Sequence, residues 1–165
     1  MATTIHSRQE RELHLIDVEN LLGTPYYTAA AVRALRTTYD LVSQTGSAAQ
    51  QVIGTSAASN LLTAALAWGG ARPVFENGPD GADRALLAAG DYAPEQRFGR
   101  IVIGSGDHIF ATFAADLQRK GVEVTVVCRP ESLSRLLRLA VHDVRYLQPT
   151  RPTRPTVRRD LGRVA

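Results

Sequence analysis

The chain has 165 residues, 44% of them hydrophobic and 21% charged, which suits one domain with a substantial core. No apolar run approaches the roughly 18 residues of a membrane span, Met1 to Glu12 holds no apolar leader, and the single cysteine, Cys128, excludes an internal disulfide and a Cys/His zinc site. The formal net charge of +3 resides in the last stretch, where Arg151, Arg154, Arg158, Arg159 and Arg163 stand against Asp160, so the remainder is close to neutral. A cytoplasmic protein without a membrane partner is expected.

In chain order, residues 1–11 read as a polar N-terminal extension and 12–148 as one α/β domain. His-Leu-Ile-Asp-Val gives a strand over about 13–18, and Gly23-Thr24-Pro25 feeds a helix over about 26–43. A second strand, Gln51 to Thr55, leads to a helix capped near Ser59 and stopped by Gly69-Gly70. A third strand, Arg72 to Glu76, runs into the turn-rich Asn77-Gly78-Pro79-Asp80-Gly81, and a helix follows to about Ala89. A strand over 100–104, a helix over about 108–119, a strand over 123–128, a helix from Ser132 to Ala140 and a short strand over 144–147 complete the pattern. Cys128 ends a β-branched run and reads as a buried thiol. Residues 149–165, rich in Arg and Pro, read as an extended, mobile tail suited to holding a nucleic-acid backbone or simply solvated.

Strict β-α alternation with short loops implies a three-layer α/β/α sandwich with a mainly parallel sheet. An assumed strand order of 3-2-1-4-5 reverses between the first and fourth strands. Ligands bind beyond the carboxyl ends of strands at such a switch point. Asp17 ends the first strand, and Asp107 follows the fourth in Gly104-Ser105-Gly106-Asp107. Two carboxylates brought together there repel by roughly 4 kcal/mol at 4 Å and an effective dielectric of about 20. A divalent cation removes that repulsion, so a metal site is expected.

Asp83, in Gly81-Ala82-Asp83-Arg84, opens the third long helix and is the candidate third ligand, against the plainer role of first-turn acid. Asn20 and Glu19 follow Asp17 closely enough to serve as a neutral ligand and a further acid, or to cap the next segment. Ser105 is a candidate for orienting a ligand by hydrogen bond. His108 is a loop histidine within reach of substrate or metal, and Arg84 could line a path for phosphates. A dinucleotide-binding loop is rejected, because the third glycine position of G-x-G-x-x-G is Ile109 and Asp107 would repel a pyrophosphate.

Three blocks in series carry a family resemblance. Leu15-Ile16-Asp17-Val18-Glu19-Asn20, Gly81-Ala82-Asp83-Arg84-Ala85-Leu86 and Ile103-Gly104-Ser105-Gly106-Asp107-His108-Ile109-Phe110 resemble the opening strand, the Lys-Gly-Val-Asp-x-x-Leu helix start and the Ser-Gly-Asp-x-Asp-Phe loop of NYN domains. These form a branch of the PIN-like nuclease superfamily, with a Rossmann-like sheet. The match runs over about 12–147. The resemblance implies a metal-dependent endoribonuclease with Mg²⁺ or Mn²⁺ on Asp17, Asp83 and Asp107, and a catalytic set that adds Asn20. RNA as the partner comes from this resemblance. The family's second loop acid is Ile109 here, its lysine is Asp80, and its further helix acid falls on Ala89, with Asp91 two residues later. These departures leave open a site with one ion instead of two, and also a module that does not cleave but binds RNA, a protein partner or another copy of itself.

Overall fold

The computed structural model describes residues 7–147. The expected tail over 149–165 and the first six residues of the expected extension lie outside the described residues.

Six strands form one all-parallel sheet in the order β3-β2-β1-β4-β5-β6: β1 Glu12–Asp17, β2 Ala49–Thr55, β3 Arg72–Phe75, β4 Arg100–Gly104, β5 Glu123–Cys128 and β6 Asp143–Tyr146. The helices are α1 Val18–Leu22, α2 Ala29–Ser43, α3 Ala58–Trp68, α4 Gly81–Gly90, α5 Pro94–Arg97, α6 Ala111–Arg119 and α7 Arg135–Ala140. This is the expected three-layer sandwich with the expected strand order, extended by β6. β1 lies between β2 and β4, where the order reverses.

The central strands are buried on both sides because successive side chains alternate faces. Leu13, Leu15, Ile101, Ile103, Val124 and Val126 pack under α4, α6 and α7 through Leu86, Leu117 and Leu137. Ile16, Ile53, Val102 and Val127 pack under α2 and α3 through Val32, Leu35, Tyr39 and Trp68. Cys128 is buried as expected. Among the described residues no helix is long and apolar enough to cross a membrane.

At the amino ends of the strands the α2 side of the sheet is polar yet closed. His14 is fully buried, with Nδ1 3.0 Å from the Tyr39 hydroxyl and Nε2 3.1 Å from Glu12 Oε2. Arg100 reaches Glu12 Oε1 at 3.3 Å and donates to the Ser43 carbonyl at 2.8 Å. Thr125 Oγ1 donates to Asp143, which also pairs with Arg145. Each buried charge has an opposite charge or a dipole against it, as burial requires.

Local boundaries differ from the sequence expectation for identifiable reasons. The expected helix over about 26–43 starts later, at Ala29 after its cap Thr28, and a short helix, α1, which Gly23 ends in the left-handed region, precedes it unforeseen. Ser59 is not a cap: α3 begins at Ala58, and Ser59 lies in its first turn. The helix expected from 108 opens as a 3₁₀ turn, His108–Phe110, before α6. The helix expected from Ser132 is a 3₁₀ turn, Pro130–Ser132, followed by α7, which Ser134 caps. α5, with Pro94 at its first position, was not foreseen.

Candidate acidic site at the switch point

Asp17 is the last residue of β1 and the N-cap of α1. Its Oδ1 accepts from the N–H groups of Glu19 and Asn20, both at 3.0 Å. The capping alternative holds for Asp17, and its carboxyl group also meets Asp83. Both acids are only 5% exposed.

α4 brings Asp83 to this point because Gly81 allows it to start hard against the end of β3. A Cβ on Gly81 would overlap the carbonyl oxygen of Glu76. Asp83 Oδ1 is buried without a hydrogen-bond partner. Burial, then the charges of Asp17 and Asp107, raise the Asp83 carboxyl to about 8. Burial, opposed by the Asn20 N–H, raises Asp17 to about 6. Asp83 thus holds a proton at neutral pH and offers it toward Asp17. Like charges buried together force one of the pair to stay neutral.

Asp107 caps the 3₁₀ turn through Ile109 N–H at 2.9 Å, and its Oδ1 lies 2.8 Å from His108 Nδ1. The loop that carries it is fixed from three sides. Ser105 Oγ accepts from Asp107 N–H at 3.2 Å, Asn20 Oδ1 accepts from Gly106 N–H at 3.1 Å, and the Gly106 carbonyl accepts from Ser134 N–H at 2.8 Å. Gly106 passes so close to the Ser132 carbonyl that a Cβ would overlap it.

Of the expected residues, Asp17, Asp83 and Asp107 therefore influence one another electrostatically, with Asp83 as the common member. They do not form a closed cage: among the described residues no three His, Cys, Asp or Glu side chains stand together as a ready ligand set. The donor set nonetheless fits a hard cation. Mg²⁺ is commonly held by one or two carboxylates and keeps several waters, and the Asp17–Asp83 pair offers two carboxyl groups and an orphaned oxygen. Asn20 joins the site as a clamp between the β1 and β4 loops. Ser105 is fully buried and acts on the loop instead of facing a ligand. His108 is largely exposed beside Asp107, and Arg84 is engaged by Glu76 and the Pro79 carbonyl, both at 2.6 Å.

Glu19, expected as a further acid or a cap, is engaged by its neighbours, and Arg129 and Tyr27 were not in the expected set. Glu19 accepts from Ser56 and from Asn60 Nδ2, tying α1 to β2 and α3. Arg129 Nε donates to the Asn20 carbonyl at 3.0 Å, bracing the clamp from β5. Tyr27 places its hydroxyl, buried and unpartnered, near Glu19 and Asp17; burial, then the charges of Glu19 and Asp17, hold it protonated. Glu19 carried a signal through its spacing from Asp17. Arg129 and Tyr27 carried none, because only the tertiary fold brings them in.

No protein-family model matches the chain, and no curated protein matches it. Among solved structures it is similar to the crystal structure of a protein of unknown function from Vibrio parahaemolyticus. The identity is 14%, the TM-score 0.55, and the match covers 88% of this chain and 98% of that one. At this identity the likeness concerns the fold alone.

Proposed function

We propose that this protein is a cytoplasmic, metal-dependent ribonuclease of NYN type that hydrolyses RNA phosphodiester bonds at the switch-point cleft. The observation that carries the reading is the buried Asp17–Asp83 pair, with one oxygen unsatisfied and a third acid, Asp107, acting on it. Such conflict among like charges is relieved by a cation and makes these acids a functional-site candidate. Asp17 and Asp83 would hold Mg²⁺ or Mn²⁺, with Asp107 reaching it through water. The bound ion supplies charge neutralisation at the phosphate and a water of lowered pKa. Asn20 keeps the Asp107 loop in register. The test is cleavage of single-stranded and hairpin RNA with Mg²⁺ or Mn²⁺ and with EDTA. Metal-dependent cutting that Asp107→Asn abolishes supports the reading; undiminished cutting by that variant refutes it.

One observation favours the alternative, a module that binds RNA or a protein partner without cutting. Ile109, at the family's second loop acid, packs against the core beneath α6, so the site has an apolar wall where a second ion would need a ligand. Salt-sensitive RNA binding without cleavage supports this alternative.

A further inference from the structure

At the opposite end of α4 lies a groove of about 660 Å³ that the acidic site does not use. It opens where Ala88 and Ala89 lie near the end of the helix, between the amino end of β2 and the end of α5. Its lining includes Arg72, Arg97, Tyr92, Gln50 and Phe98 and no carboxylate. Its size falls in the range of small-ligand sites.

The two arginines of this groove are free of acids, as Arg33, Arg135 and Arg138 are elsewhere, but only here, among the described residues, do two such groups line one concavity beside an exposed ring. Among the described residues Arg84, Arg100, Arg129 and Arg145 each pair with an acid. Neither Arg72 nor Arg97 has such a pair. Arg72 donates only a long bond, 3.4 Å, to the Ala89 carbonyl. The Arg97 guanidinium lies over the buried Phe98 ring, 5.0 Å from its centre, and Arg11 lies over the same ring at 5.3 Å. Stacking on an aromatic face positions a guanidinium while leaving its N–H edge free for an anion. Tyr92 is 83% exposed beside them, a flat ring with nothing laid on it.

Free guanidinium groups suit phosphate, and an exposed aromatic ring suits a nucleobase. That combination characterises sites that track single strands. The groove lies at the other end of α4 from Asp83, about 9 Å along the helix axis at 1.5 Å per residue, a span that roughly two nucleotides of an extended strand would cover. We infer that this groove binds a nucleotide of single-stranded RNA, with phosphate on Arg72 and Arg97 and a base on Tyr92, while a neighbouring part of the strand lies at the acidic cleft. An acidic peptide would use the arginines but leave Tyr92 without a role. The choice of RNA rests on the ribonuclease reading; the anion site itself rests on the groove.

The experiment is fluorescence anisotropy of the full chain with 5′-fluorescein-labelled octauridine in EDTA, titrated across salt. The wild type binds with a salt-dependent affinity. Arg72→Ala and Arg97→Ala each lower the slope of log affinity against log salt by about 0.7, the loss of one phosphate contact to a single strand. Arg97→Lys keeps the slope, and Tyr92→Ala weakens binding roughly tenfold, as for one lost stack. Arg72 touches the end of α4, so thermal melts accompany each variant, and the exposed Arg97 and Tyr92 decide the matter. A wild type that does not bind, variants that bind with unchanged slope and affinity, or polyglutamate competing as well as RNA would overturn the inference. No cleavage is needed for this readout. If the variants lose binding while the wild type never cuts RNA, the ribonuclease reading fails and the groove stands; if the wild type cuts and the variants bind normally, the groove fails alone.

Discussion

Asp83 faces Asp17 across the junction of α4 and β1 with one carboxyl oxygen buried and unsatisfied, while Asp17 is pinned by two N–H groups of its own helix turn. The two acids are thus unequal. Burial raises both, but backbone N–H groups oppose it at Asp17, whereas burial and the neighbouring acids act together on Asp83 and raise it further.

That inequality sets a pH dependence of stability. The Asp83 carboxyl is raised in the folded state to about 8, above its unfolded value. Its favourable contribution is complete below about pH 4 and is lost as pH rises through about 8. Asp83→Asn should therefore raise Tm at pH 8 in EDTA, by about 4–8 °C for a gain on the order of 2 kcal/mol, and leave it unchanged below pH 4. Melts over pH 4–9 check this; a variant less stable than wild type at pH 8 contradicts it.

If a cation takes the place of the missing partner, Mn²⁺ or Mg²⁺ stabilises the wild type in proportion to its affinity, by about 2.7 kcal/mol at a hundredfold excess over Kd. Asp17→Asn and Asp83→Asn should lose most of that gain in thermal-shift titrations. Asparagine at position 17 is the informative choice because it still caps α1. Equal metal-induced shifts in wild type and both variants would remove the ion from these acids.

Gly106→Ala tests the loop. The added methyl overlaps the Ser132 carbonyl, which is backbone and cannot rotate away. Loss of roughly 1–3 kcal/mol of stability is expected. RNA cleavage should fall by more than the unfolded fraction accounts for, because Asp107 moves with the loop. Urea melts beside single-turnover assays separate the two effects, and an unaffected cleavage rate would show that the position of the loop does not matter.

Arg100→Ala tests the far end of the sheet. It strips Glu12 of its buried cation and the Ser43 carbonyl of a donor, and removal of one partner of a buried pair costs about 3 kcal/mol or more. The folded fraction should keep its specific activity, since Arg100 touches nothing at the acidic end. A fall in activity per folded molecule would count against the separation of the two ends.

The sheet was legible because β-branched runs alternate with small-residue helices, and parallel crossovers leave few arrangements. Asp17 and Asp107 were legible because each follows such a run, and Asp83 because it opens the helix after the third strand. What escaped was local or tertiary. The short α1 escaped because five residues directly after a strand are too few to show a helical period. Ser105 reads as a ligand donor in a glycine-rich loop, yet the Asp107 N–H takes its lone pair. Tyr27 and Arg129 arrive from segments whose own patterns say only helix approach and strand end. Asn20 was expected as a ligand or donor and is found bracing two loops, a use invisible without the distance to Gly106.

The proton that Asp83 holds near neutrality has a further consequence. An ion settling between the two carboxyl groups must displace it, so uptake and acid release are a single event. An unbuffered solution of the protein would turn measurably more acidic as ion is added at pH 7 and scarcely at all at pH 9, where the site is already bare.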